Sequence, residues 1–153
     1  MKTKLTVLAV LTSALAASLC FAAGDAFMGT WKLDEAKSKI GDGMPKNTTV
    51  VYAQSGDEVT ITVDGMDAGK PVHHVWTGKL DGKEYAAKGS AMHSGRAYTM
   101  VDDKTITYTV MKDGNKIGHG KVVLSADGKS RTVTETDKMH GKEMTTVAVY
   151  DKQ

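Results

Sequence analysis

The chain predicts an all-β domain, an up-and-down antiparallel β-barrel of about 8–10 strands with one short helix after the first strand. Three observations carry that prediction. Short runs alternate polar and apolar residues, as in Thr105-Ile106-Thr107-Tyr108-Thr109-Val110, which is the period of a half-buried strand. Asp-Gly and Gly-Asn pairs lie between the runs, supplying the positive φ angles of tight hairpins. No long crossover separates one run from the next, and a closed meander leaves no exposed sheet edge.

Ahead of the domain lies a leader. Lys2 and Lys4 form a basic start, and Leu5 to Leu19 is an apolar core broken only by Thr6, Thr12, Ser13 and Ser18. Ala22 and Ala23 offer a peptidase site, and the first acid, Asp25, follows at once. This is the layout of a secretory signal peptide over residues 1–23, too short and too soon polar for a membrane span. Residues 24–153 form the domain, and the expected location is periplasmic or secreted. Cys20 is the single cysteine. It lies within the leader after Leu19, where lipid attachment calls for a small residue, so the exported domain carries neither anchor nor disulfide.

The elements follow in order. Phe27–Leu33 opens the sheet. Asp34–Ile40 is predicted helical, with Asp34 as N-cap, Glu35 in the first turn and Lys37 and Lys39 in the last, ended by Gly41, Gly43 and Pro45. The remaining strands are Thr48–Gln54, Glu58–Asp64, Val72–Leu80, Lys83–Lys88, Arg96–Val101, Thr105–Lys112, Lys116–Ser125, Ser130–Asp137 and Glu143–Tyr150. Turns are predicted at Ser55-Gly56-Asp57, Asp64-Gly65, Asp81-Gly82-Lys83, Asp113-Gly114-Asn115 and Asp127-Gly128-Lys129. Tyr150 shares a face with Ala148, and Val147 with Val149. The run from Arg131 to Thr136 is threonine-rich and barely apolar, so its inward face is open.

Charge excludes some partners. The 20 Lys and Arg against 18 Asp and Glu give +2; Lys2 and Lys4 account for that excess, so the exported domain is formally neutral. Arg96 and Arg131 are the only arginines. With no arginine-rich patch and no basic run, neither nucleic acid nor an anionic membrane surface is an expected partner.

At Phe27-Met28-Gly29-Thr30-Trp31-Lys32-Leu33 the chain resembles the opening strand of the calycins, the lipocalins and fatty-acid-binding proteins. In them a Gly-x-Trp closes the barrel base with its indole under the core. The resemblance implies that Trp31 is a structural plug, and the ten hairpin-linked strands fit the fatty-acid-binding branch. Two features depart from that branch. Asp34 to Thr48 is too short for its two-helix lid, and its terminal Arg-x-Tyr pair reads here as Ala148-Val149-Tyr150. The pieces Ala36-Lys37-Ser38-Lys39, Trp76-Thr77-Gly78-Lys79 and Ser125-Ala126-Asp127-Gly128-Lys129 are also similar to a set of small exported bacterial proteins. That likeness implies a lipocalin-like domain and no particular activity.

Function is read as binding of a small apolar ligand without catalysis, by a monomer that needs no cofactor. Barrels of this size enclose one small molecule. Of the aromatic candidates Tyr52, Trp76, Tyr85, Tyr98 and Tyr108, the cavity lining is assigned to Trp76, Tyr98 and Tyr108. An alternative is periplasmic copper on His73, His74, His93, His119, His140 and the methionines, for which imidazole with thioether is suitable chemistry. Adjacent His73 and His74 point to opposite faces of a strand, however, and no His-x-His spacing occurs, so no metal site is assigned. A third reading is an interaction module using the loops Ser90–Gly95 and Lys138–Lys142. Catalysis finds no nucleophile motif, and Glu58, Glu84, Glu135 and Glu143 are expected on solvated faces.

Overall fold

A computed structural model describes residues 24–139 and 141–153. The leader, with its cleavage site at Ala22 and Ala23 and Cys20, and also His140, lie outside the described residues. Ten strands follow one another as hairpins: β1 (Gly29–Lys39), β2 (Lys46–Ser55), β3 (Glu58–Asp67), β4 (Lys70–Gly78), β5 (Asp81–Lys88), β6 (Gly95–Asp102), β7 (Thr105–Lys112), β8 (Asn115–Leu124), β9 (Ser130–Met139) and β10 (Lys142–Lys152). Each pairs antiparallel with its neighbours, and β1 closes the barrel against β10. Leu33 stands opposite Tyr150 across that closing seam, and Trp31 opposite Val50 on the other side.

Alternation decides the inside. Val59, Ile61 and Val63 of β3 and Ile106, Tyr108 and Val110 of β7 are buried, because a side-chain period of two sends every second residue into the barrel. Threonines take the outer wall, where Thr60 pairs with Thr77 at 3.0 Å and Thr136 with Thr145 at 2.8 Å between hydroxyls.

The predicted helix is not there. Asp34–Lys39 continues β1, and the short helix among the described residues is a single 3-10 turn, Asp25–Phe27, ahead of the first strand. The capping chemistry of Asp34 is real but local. Its Oδ1 accepts the Lys37 N–H at 3.2 Å, while the Ser38 hydroxyl donates to the Asp34 carbonyl at 2.6 Å. The result is a bulge: Asp34 faces Val149 and Lys39 faces Val147. Ser38 Oγ also accepts the Val149 N–H at 2.9 Å, tying the bulge to β10. An edge that must close a barrel offers more hydrogen bonds than an isolated turn of helix, whose nucleation is unfavourable.

Asp64-Gly65 is likewise no turn; it lies within β3, and the chain reverses at Ala68 and Gly69, both with positive φ. Gly65 serves close approach instead. A Cβ there would overlap the Lys46 carbonyl oxygen, beside the β2 bulge between Asn47 and Thr49. Gly82, predicted in a turn, is similarly part of β5.

The two barrel ends differ. At the base, Trp31 is fully buried and its indole N–H donates to the Phe27 carbonyl at 2.8 Å. The Arg131 guanidinium lies over the rings of Trp31, Tyr52 and Tyr150 at 4.8, 4.6 and 5.0 Å. At the other end the hairpins around residues 40–45, 68–69, 89–94 and 113–114 surround an open mouth.

Candidate functional site

A cavity of about 470 Å³ runs from this mouth into the barrel, within the ~300–1,000 Å³ usual for small-molecule sites. Its entrance is apolar, built by Ile40, Met44 and Pro45 from the β1–β2 connection and Met92 from the β5–β6 loop. Val110, Ile117, Val133 and Ala148 form an aliphatic wall, and Tyr150 contributes a ring deeper in. The rest of the lining includes a polar wall of His74, His93, Arg96, Glu135 and Asp137. A second depression, about 510 Å³, lies on the outer face of β6–β9 among Thr99, Thr107, Thr134 and Thr136. It is a more open surface of hydroxyls and lysines, and the interior cavity is the better candidate.

Two of the five polar residues come from β9, whose inward face is Arg131, Val133, Glu135 and Asp137. Glu135 is therefore not on a solvated face: its side chain is 21% exposed and that of Arg96 13%. Arg96 Nη1 donates to Glu135 Oε2 at 3.3 Å and to the Tyr98 hydroxyl at 3.4 Å. The Tyr108 hydroxyl donates to the same carboxylate oxygen, and the guanidinium lies 5.1 Å over the Tyr108 ring. Room for this cluster is made by β8. A Cβ at Gly120 would overlap the Tyr108 phenol, and one at Gly118 would overlap Asp137 Oδ1.

The electrostatics follow from the packing. Burial opposes ionisation of Glu135, but the Arg96 charge and hydrogen bonds from Asp137 and Tyr108 outweigh it and hold the carboxyl below its ordinary value. Asp137 moves the other way, to about 7, through burial, the Glu135 charge and the proton it shares with Glu135. Burial, aided by the Arg96 charge, pushes His74 and His93 down to about 4. Burial raises the Tyr98 phenol to about 12 and Tyr108 well above its usual value.

The three aromatics assigned to the lining, Trp76, Tyr98 and Tyr108, pack together behind the polar wall, and none of them is among the residues that line the cavity. Trp76 and Tyr98 pack at 4.6 Å between ring centroids, Tyr98 and Tyr108 at 5.1 Å. The Trp76 indole donates to the Arg96 carbonyl at 3.0 Å, pinning the strand that carries the guanidinium. Tyr85 meets Trp76 edge-on, and Tyr52 belongs to the base. His73 and His74 do face opposite ways. His73 is exposed and bonded to Asp64 Oδ1 at 2.7 Å, whereas His74 packs against His93 at 5.2 Å. Among the described residues no group of three or more His, Cys, Asp or Glu could hold a metal ion, and no helix is long and apolar enough to cross a membrane.

Arg96, Glu135 and Asp137 escaped the sequence reading as site residues, and His93 entered it only as a copper candidate and within the loop Ser90–Gly95. A signal existed for β9: with Val133 facing inward, Arg131, Glu135 and Asp137 share its parity.

No protein-family model and no curated protein sequence matches this chain. Among solved structures, a crystal structure of a mutant of the fluorescent protein UnaG is similar. It has a TM-score of 0.54 at 20% identity, over 84% of this chain and 96% of that one. The likeness bears on fold: this chain is a closed ten-stranded barrel of the fatty-acid-binding-protein type, consistent with a calycin-like architecture.

Proposed function

We propose that the protein is an exported, monomeric carrier that holds one small, mainly apolar molecule inside the barrel and performs no chemistry on it. The observation that supports this most is the cavity of about 470 Å³, with an aliphatic wall and an entrance of Ile40, Met44, Pro45 and Met92. Concave, largely apolar spaces with a few convergent polar groups are the usual form of a ligand site. Export rests on the leader over residues 1–23, with Lys2, Lys4 and the apolar run from Leu5 to Leu19.

The test is native mass spectrometry of the protein purified gently from the periplasm, beside the same sample denatured. An additional mass of an organic molecule, lost on denaturation, and an N-terminus at Ala23 or Gly24 are expected. A bare polypeptide in both spectra counts against a carrier, and an added metal mass would favour the copper alternative.

One observation favours a second reading, an enzyme. Glu135 and Asp137 are neighbouring carboxyls whose pKa values are pushed apart, a pattern that also serves acid–base catalysis. Against it, Glu135 is already engaged by Arg96 and Tyr108, and the lowered histidines are weak bases. Conversion of the recovered ligand by the native protein but not by Asp137→Asn would establish that reading.

A further inference from the structure

The polar wall carries unused hydrogen-bonding groups whose chemistry can be read. His93 is 6% exposed, and its Nε2 has no partner among the described residues. Its tautomer follows from Ser90. The Ser90 Oγ accepts the Met92 and His93 backbone N–H groups at 3.2 and 3.3 Å, which occupies both of its lone pairs. Its own proton is therefore directed to His93 Nδ1, 2.5 Å away. In the neutral imidazole the ring proton is then on Nε2, so His93 presents a donor. Arg96 presents a second one, since Nη1 serves Glu135 and Tyr98 while Nε finds no partner among the described residues.

Both residues line one cavity, with the two free N–H groups covered by the packing around them, yet the wall that carries them has little net charge. The Arg96 cation is matched at 3.3 Å by Glu135, which keeps its negative charge because that cation lies beside it and the Tyr108 hydroxyl donates to it. Burial and the Glu135 charge keep Asp137 protonated below pH 7. A carboxylate entering here would surrender its hydration to meet a guanidinium that already has a carboxylate partner, and desolvating an unmatched charge is costly. An ammonium would bring donors to the donors of His93 and Arg96, and the one acceptor without a partner that it would meet on this wall is Asp137 Oδ1, on a carboxyl that holds its proton below pH 7. An uncharged oxygen acceptor satisfies both N–H groups without either cost.

Resting on the cavity-binding reading, we propose that the wall formed by His93, Arg96 and Glu135 selects an uncharged carbonyl head group, such as an amide, lactam or ketone, on an apolar body. It does so in preference to the carboxylate or ammonium of the same length. This separates the site from the Arg-x-Tyr carboxylate grip of the fatty-acid-binding branch, whose arginine position is Ala148 here.

The experiment displaces the neutral fluorescent probe N-phenyl-1-naphthylamine from the exported domain at pH 6.0, below the Asp137 value of about 7, with octanamide, octanoate or octylammonium. The amide is expected to compete at a concentration at least ~10-fold lower than either ion, the scale of one unmatched buried charge. In Glu135→Gln the Arg96 charge is left unmatched, and the preference is expected to turn towards octanoate by a similar factor. His93→Phe keeps a ring of similar size and removes the donor. It should weaken octanamide about 5-fold, the worth of one hydrogen bond, with the naphthylamine unaffected; this variant carries the test should Glu135→Gln fail to fold. Octanoate or octylammonium competing as well as the amide overturns the head-group inference. So does naphthylamine binding that none of the three displaces, although the cavity reading then stands. A protein that binds neither the naphthylamine nor any octyl probe overturns the cavity reading, and this inference with it.

Discussion

Single residues decide how the barrel is closed below and hollowed above. Trp31 is wholly buried, with its one donor satisfied by Phe27, so Trp31→Ala should cost about 3–5 kcal/mol in chemical denaturation. A loss under about 1 kcal/mol would show that the indole is not the plug. Gly120 makes the opposite case, where an added methyl is the injury. Its Cβ would overlap a phenol that Glu135 and Arg96 hold in place, so Gly120→Ala should destabilise by about 1–3 kcal/mol through overpacking. Equal or greater stability would mean that Tyr108 yields freely. Trp31 was legible because Gly-x-Trp is a local pattern with a large apolar side chain. Arg96 and Glu135 were not, because charged residues are almost never fully buried unless paired, and these partners lie 39 positions apart. The only arginines of the chain are both inside the barrel, a fact that composition alone reads as a shortage of surface cations.

Among the elements, all ten strands were legible from alternation and turn chemistry, since a period of two survives wherever one face is apolar. The differences arise where backbone geometry has a tertiary cause. Asp34 has the sequence of a helix cap and makes the cap's hydrogen bond, but closure against β10 converts the segment into a bulge. Gly65 has the sequence of a turn and instead admits a neighbouring strand. Pairing density also varies around the barrel. β4 and β5 share only two paired positions, Val75 with Lys88 and Trp76 with Ala87, whereas β7 and β8 pair from Thr105 to Lys112. Local opening follows weakly paired segments. Amide hydrogen exchange is therefore expected to be faster along Asp81–Lys88 than along Thr105–Lys112. Uniform protection of the two strands would show that the β4–β5 seam opens only with the whole barrel. That seam borders the loop carrying Ser90 and His93, so its opening would loosen the wall on which head-group selection depends.

For the molecule as a whole, the buried titratable groups pull stability in opposite directions as pH falls. His74 and His93 sit at about 4 in the folded state, below an ordinary 6.5. Between these values the unfolded chain binds two protons that the barrel refuses, so their contribution is complete above pH 6.5 and lost on acidification. Asp137 acts the other way. Its folded value of about 7 lies above the ordinary 3.8, so the barrel holds a proton that the unfolded chain releases, and acidification from pH 7 to 4 favours folding. Two protons gained against one already held leave a net uptake of about one proton on unfolding near pH 5.5, and stability therefore falls as pH falls. The lowered carboxylates Asp34, Asp57 and Asp127 add to the loss only at more acidic pH. Urea denaturation from pH 6.5 to 4.5 should thus show a slope near ~1.4 kcal/mol per pH unit. Asp137→Asn removes the opposing proton and should steepen the slope towards two protons, whereas His93→Phe should flatten it. A flat profile in the native protein, or one that Asp137→Asn leaves unchanged, would mean that the Glu135–Asp137 proton is not shared. The neutral balance of the polar wall, on which selection of an uncharged head group rests, would then have to be abandoned.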